Sequence, residues 1–185
     1  MKDSIIVVYI PSSGVYGGGW YLEQFLGLYY SVVHKTSLHE RFDFLVTGPP
    51  EILAKIPSAH CRSIPLGGLS ETPDFRYKHS GNPYGYANIY APFIDAKCVE
   101  IINQYKYALR IDVDTFLSPN LGTFEFSAGD MLVGQGGYAS ETARLKLPEI
   151  QQELGLSDRG LWNVGSTWYG ESSAMVDLCT KAVGY

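Results

Sequence analysis

The sequence predicts an α/β fold on a mostly parallel mixed sheet flanked by helices, and three observations carry that expectation. Ile5-Ile-Val-Val-Tyr-Ile10 is an unbroken run dominated by β-branched residues, the mark of a strand buried on both faces. Strand-length apolar runs then alternate with helical periodicity along the chain, the order that yields parallel strands joined by crossovers. Finally, 45% of the 185 residues are hydrophobic and only 18% charged. A chain of this size buries roughly 70% of its unfolded surface, enough for one cored domain. Disorder, which needs low hydrophobicity and high charge, is excluded.

Each element follows in order. The first strand stops at Pro11 and opens into a glycine-rich loop ending at Gly19. Residues 20–33 carry Phe25, Leu28, Tyr29, Val32 and Val33 at helical spacing, then His34 and Lys35, cations that suit a helix C-terminus. Residues 42–47 form the next strand, stopped by Gly48-Pro49-Pro50. A short helix at 51–55 leads to a third strand at 61–66. Residues 67–83 are a loop rich in Gly, Ser, Pro and charge. Asn82-Pro83 is a helix start, with Asn as cap and Pro in the first turn. That helix is expected to run to about Tyr105, with Ile89, Phe93, Val99, Ile101 and Ile102 on or near its buried side. Tyr107-Ala-Leu-Arg-Ile111 is a strand running straight into Asp112-Val-Asp114. A further strand is expected at 131–134, helical turns between 141 and 154, a final strand or loop at 163–170, and a last helix from about Ser172. In such sheets ligands bind at the carboxyl ends of the strands.

Charge and cysteine usage narrow the function classes. The net charge of −5 disfavours a nucleic-acid binder, which wants a basic face. Cys61, Cys98 and Cys179 are far apart and form no C-x-x-C, so neither a zinc knuckle nor a redox pair is suggested; three buried thiols in a reducing compartment are expected. The apolar run 5–10 is too short for a signal core or a membrane span. A cytoplasmic chain without a transmembrane segment is the expectation. The loop at 14–19 matches neither G-x-G-x-x-G nor G-x-x-x-x-G-K-[ST], and no H-E-x-x-H or G-x-S-x-G occurs. Rossmann dehydrogenases, P-loop enzymes, zinc proteases and serine hydrolases are thereby disfavoured.

The chemistry is concentrated at Asp112 and Asp114. Two carboxylates spaced i, i+2 at the end of a strand project to one side. Together they can hold a hard cation, Mn²⁺ or Mg²⁺, through oxygen ligands, and such an ion neutralises a diphosphate leaving group. D-x-D alone is unspecific; its place after an apolar strand, behind a long helix, discriminates.

Tyr86-Ala-Asn-Ile-Tyr90 through Tyr107-Ala-Leu-Arg-Ile-Asp-Val-Asp-Thr-Phe-Leu117 resembles the helix, strand and D-x-D signature of glycosyltransferases with the GT-A fold. Trp162-Asn-Val-Gly-Ser-Thr-Trp-Tyr-Gly170 resembles the Asn-x-Gly segment those enzymes place beside the donor sugar. The likeness covers residues 5–170 and is nearest to a branch found in fungi, algae and large algal viruses. It implies a single GT-A-like, Rossmann-like domain over 1–185, with the chain expected to be the N-terminal domain of a longer protein. It further implies a nucleotide-sugar donor, UDP-linked ahead of GDP-linked, and a carbohydrate or glycoprotein acceptor.

Residue by residue, the resemblance assigns Asp112 and Asp114 to the metal, with Asp114 touching the ion directly. Tyr9, Ile10, Pro11 and Ser12 would cradle base and ribose. Arg76 and Lys78, in the loop before the long helix, would meet phosphates, and Asn88 would reach the donor. Val113, within the motif, belongs to the same nucleotide-sugar set. Arg110 is either a donor contact or the partner of a buried carboxylate. Gly136 and Gly137 lie where an acceptor-side loop is expected, and Asn163 and Gly165 near the sugar. Tyr77 and Tyr84, among 14 tyrosines, suit stacking on a base or sugar.

The chain departs from the family's pattern in one respect. Many members supply a third metal ligand, often His, from a C-terminal segment, whereas the last histidine here is His79. Phosphates and water, or a segment beyond Tyr185, would complete the shell. No catalytic base is assigned: Asp130, Glu141, Asp158 and Glu171 serve equally as caps or surface charges. Two rival functions stand beside this one. Asp112-Val-Asp-Thr115 also resembles the D-x-D start of the haloacid-dehalogenase-type phosphatase signature, with Asp112 as nucleophile. A non-enzymatic sugar-binding module would use the tyrosines as platforms.

Overall fold

A computed structural model describes residues 2–11, 17–66, 90–123, 131–135, 152 and 163–183. Its elements are β1 (Ser4–Tyr9), α1 (Gly17–Tyr30), β2 (Phe42–Gly48), α2 (Pro50–Leu53), β3 (Cys61–Pro65), α3 (Ala91–Ile94), α4 (Ala96–Ile102), β4 (Tyr107–Ile111), β5 (Met131–Gln135), β6 (Asn163–Glu171) and α5 (Ser172–Val183). A wider π-type turn, Ser31–Lys35, continues α1 and carries the expected terminal cations His34 and Lys35.

The strands form one six-stranded sheet in the order β3-β2-β1-β4-β6-β5. β1 pairs in parallel with β2 and β4, and β2 with β3. β6 is antiparallel to both β4 and β5. The sheet is therefore mixed: β6 alone opposes the common direction.

Strand alternation sorts the core into two layers. Ile6, Val8 and Ile10 of the first strand run, with Phe42, Phe44 and Val46 of β2 and Leu109 of β4, pack against Phe25 and Leu28 of α1 and Ile52 and Leu53 of α2. Ile5, Val7, Leu45 and Ala108 face the other way, onto Phe93, Cys98, Ile102, Met175 and Cys179 from α3, α4 and α5. Residues in both layers of β1 are almost fully buried, which is why its sequence reads as continuous rather than alternating apolar residues.

The structure corrects the helix expected to run to Tyr105. Its described part is two short helices broken at Asp95, which is extended (φ −71°, ψ 127°). The Asp95 carboxylate accepts from the backbone N–H of Lys97 and Cys98, both at 3.0 Å, an N-cap that starts α4 afresh. Helix α4 ends at Ile102, so Tyr105 lies beyond it. Phe93 and Ile102 are buried as expected, while Val99 and Ile101 are half-buried. The predicted start at Asn82-Pro83, Ile89, and the turns of 141–154 other than residue 152 lie outside the described residues.

All three cysteines are free; Cys98 and Cys179 are buried and Cys61 half-buried. Burial pushes each thiol up to about 12, consistent with inert packing groups. Among the described residues no helix is long and apolar enough to cross a membrane.

Candidate functional site

The sheet order reverses at β1. From it the chain crosses to β2 and then β3 on one side, and returns to β4 on the other. That switch point, at the carboxyl ends of the strands, is where open α/β sheets bind ligands. Val7 is in register with Arg110, so Tyr9–Pro11 and Ile111–Asp114 leave the sheet side by side.

The β1 side of this crevice is built on close backbone contact. The Ile10 N–H donates to the Thr47 carbonyl at 2.8 Å, and the Thr47 hydroxyl donates to the Val8 carbonyl at 3.1 Å. Gly48 ends β2 with φ +154°, and a Cβ there would sit 2.4 Å from the Ile10 carbonyl oxygen. Only glycine allows that approach. Of the expected nucleotide cradle, Tyr9 and Pro11 are half-buried at this rim. The Ile10 side chain is wholly buried in the α1-side core, so only its backbone is left for the strand end. Ser12 lies outside the described residues.

The β4 side carries the charges. Strand β4 ends at Ile111, and the Thr115 N–H donates back to the Asp112 carbonyl at 3.3 Å. Asp112 to Thr115 is thus a turn, not further strand. This corrects the expectation that Asp112 and Asp114 project together by strand alternation; the turn sets their relation instead. Val113 tucks into the α1-side core at 7% exposure, while Asp114 is exposed.

Arg110 pairs with the first carboxylate of the motif. It is buried on the α5 side of the sheet, and its Nη2 donates to Asp112 Oδ1 at 2.6 Å. Its guanidinium carbon lies 5.8 Å from the centre of the Trp168 ring, the residue opposite Arg110 in the β4–β6 register. Burial works against both charges: it lowers the Arg110 pKa, an effect opposed by Asp112. The Asp112 carboxyl is pushed up by burial and by neighbouring Asp114, and pulled down by Arg110.

The third wall comes from the strand that runs backwards. Thr167 of β6 pairs with Ile111, so Asn163–Ser166 extend past the end of β4 on the ligand edge. Gln135 pairs with Asn163 and Gly134 with Val164, bringing the end of β5 to the same edge. Asn163 and Gly165 therefore share an edge with Asp112 and Asp114, as do Tyr9–Pro11. Gly136 and Gly137, next after β5, lie outside the described residues, as do Arg76, Lys78, Asn88, Tyr77 and Tyr84.

Three features of this edge escaped the sequence reading. The Gly48 approach and the Trp168 stack depend on sheet register, which one strand's sequence does not encode. Phe116, two residues beyond Asp114, is 71% exposed; only its position next to the motif marks it.

Among the described residues no group of three His, Cys, Asp or Glu side chains is placed to hold a metal. Two neighbouring carboxylates are what the turn offers. That donor set suits a Mg²⁺ or Mn²⁺ ion, which keeps waters and takes substrate phosphate oxygens besides one or two carboxylates. Asp114 and the second oxygen of Asp112 would hold it.

A search of curated proteins returns no match to this chain. One family matches it over residues 6–185, from β1 through the end of α5. The chain belongs to that family, described as Domain of unknown function (DUF7164).

Proposed function

We propose that this chain is a metal-dependent glycosyltransferase of the GT-A type, transferring a sugar from a nucleotide diphosphate, UDP ahead of GDP, to a carbohydrate or glycoprotein acceptor. One observation carries the reading. An Asp-x-Asp turn, with Asp114 exposed, stands at the carboxyl end of β4, beside the end of β1, where the strand order reverses. The β6 end bearing Asn163 and Gly165 lies on that edge, in keeping with the Asn-x-Gly segment expected near the sugar.

In this reading the rim at Tyr9–Pro11 borders the nucleotide. Arg110 fixes the Asp112 carboxylate, and Asp114 presents its own to solvent and phosphate. Bound Mn²⁺ or Mg²⁺ supplies positive charge against the diphosphate leaving group. The buried floor of Ile10 and Val113 keeps these oxygens on a rigid base, so little reorganisation accompanies binding.

Calorimetric titration of UDP and GDP with and without Mn²⁺ tests the reading. Metal-dependent binding of one nucleotide is expected, and Asp114→Ala weakens it about 100-fold. Failure of both nucleotides to bind, or intact metal-dependent binding in Asp114→Ala, overturns it. The phosphatase alternative requires Asp112 as nucleophile, yet Arg110 already engages one of its oxygens at 2.6 Å. Trapping an aspartyl-phosphate at Asp112 would restore that alternative. Sugar binding with no turnover of any nucleotide sugar would favour a binding module.

A further inference from the structure

The Asp-x-Asp turn carries two carboxylates and one buried cation. Arg110 retains only 6% of its side-chain exposure, whereas Asp112 retains 45%. The guanidinium is enclosed by the sheet, by Trp168 at 5.8 Å and by the α5 layer; Cys179 and Tyr90 are near enough to act on its charge. It cannot swing into water without exposing the packed Trp168 face. Asp112 stands at the border, so its charge is held by a partner fixed in the core. Counting the described residues, a divalent ion approaching the turn meets two carboxylates and one guanidinium, a net charge of about −1, with one of its two ligands already bonded to the cation. Like charges a few ångströms apart at a partly buried site repel substantially, and a hard ion with few protein ligands gives up its water shell reluctantly.

We propose that Arg110 is a positioning residue that holds the turn below the negative charge needed to keep a divalent cation, so that the cation arrives together with an anionic diphosphate. The diphosphate supplies both the missing charge and the missing oxygens. Asp112 then acts as a ligand of set orientation, and Asp114 as the carboxylate that makes first contact. The role assigned to the diphosphate rests on the glycosyltransferase reading; the suppression of metal binding does not.

The test uses the full chain and Mn²⁺ alone, with binding read by electron paramagnetic resonance of free Mn²⁺ and by calorimetry. Arg110→Met removes the charge, Arg110→Gln removes it but keeps a donor for Asp112, and Arg110→Lys keeps the charge. With no nucleotide present, the Met and Gln variants are expected to bind Mn²⁺ about tenfold more tightly than the wild type. The Lys variant stays near the wild type, which a purely structural role for the side chain would not produce. Adding UDP is expected to tighten Mn²⁺ binding at least about tenfold in the wild type and less in the Gln variant. If Arg110→Met fails to fold by near-ultraviolet circular dichroism, Arg110→Gln decides. Equal Mn²⁺ affinity in the wild type and the charge-removing variants overturns the proposal. So does a wild type that binds Mn²⁺ alone as tightly as with UDP bound. If neither UDP nor GDP binds any variant, the glycosyltransferase reading falls, while the metal-alone contrast still decides the role of Arg110.

Discussion

The two ends of the sheet treat charge in opposite ways. At the amino end, Lys2 Nζ donates to Asp43 Oδ1 at 2.6 Å and to the Phe42 carbonyl at 3.2 Å, and lies 2.7 Å from His60 Nδ1. Tyr105 donates to the other Asp43 oxygen at 2.8 Å. Arg41 bonds Asp3 through Nε and the Gly122 carbonyl through Nη1, both at 3.0 Å. Both oxygens of Asp43 are thus satisfied, and the network joins segments flanking β1, β2, β3 and β4. At the carboxyl end, among the described residues, Arg110 bonds Asp112, and Asp114 faces solvent. Satisfied charges lock a fold; an unbalanced pair of carboxylates is a place for something to bind. The amino end reads as structural and the carboxyl end as the candidate site.

The strongest challenge to that division is Gly48, a packing device at the functional end. Gly48→Ala forces a Cβ to within 2.4 Å of the Ile10 carbonyl oxygen and is expected to cost about 3 kcal/mol of stability, measured by urea denaturation. A loss under about 0.5 kcal/mol would show that the crevice floor is adaptable. Next, Asp114→Ala should weaken metal-dependent nucleotide binding about 100-fold, or about 2.7 kcal/mol, with the urea midpoint unmoved because the side chain is exposed. Asp43→Ala should do the reverse. Leaving Lys2 and Tyr105 without their acceptor costs about 2 kcal/mol of stability, with nucleotide affinity unchanged by calorimetry. A matching fall in affinity would merge the two ends into one unit.

The smallest effect concerns acid. Burial, Lys2 and His39 together lower the His60 pKa, against the pull of Asp43. Above about pH 6.5 the ring is neutral in both folded and unfolded chains. As pH falls through that value the unfolded chain takes up a proton first, so stability drops until the folded ring protonates too. His60→Asn, which tolerates the φ of 60° found there, should flatten this drop between pH 7 and 5.5 in thermal melts. Equal slopes in both proteins would remove His60 from the network's account.

Much of the frame was legible because it depends on local pattern. The run at 5–10 and the strand at 107–111 stand where expected, since strands buried on both faces are continuously apolar. The helix break at Asp95 was hidden because apolar residues recur at helical spacing on both sides of it, and only the cap bonds reveal the restart. The reversed direction of β6 was also hidden: residues 163–171 show strand composition, which is the same whichever way a strand runs. At the site, the carboxylates were legible as a motif, but the turn that arranges them was not, because their spacing fits strand and turn alike. The Arg110–Asp112 pair was within reach, since residues two apart across a strand end share a face. Its partner ring at Trp168 depends on the β4–β6 register and was not.

The reversed strand has a further consequence. Because β5 ends and β6 begins at the carboxyl edge of the sheet, Gln135 and Asn163 meet there as a register pair. Under the proposed function, substitutions at that end of β5 and β6 are expected to alter which acceptor is used, much as a tool head is changed on an unchanged handle.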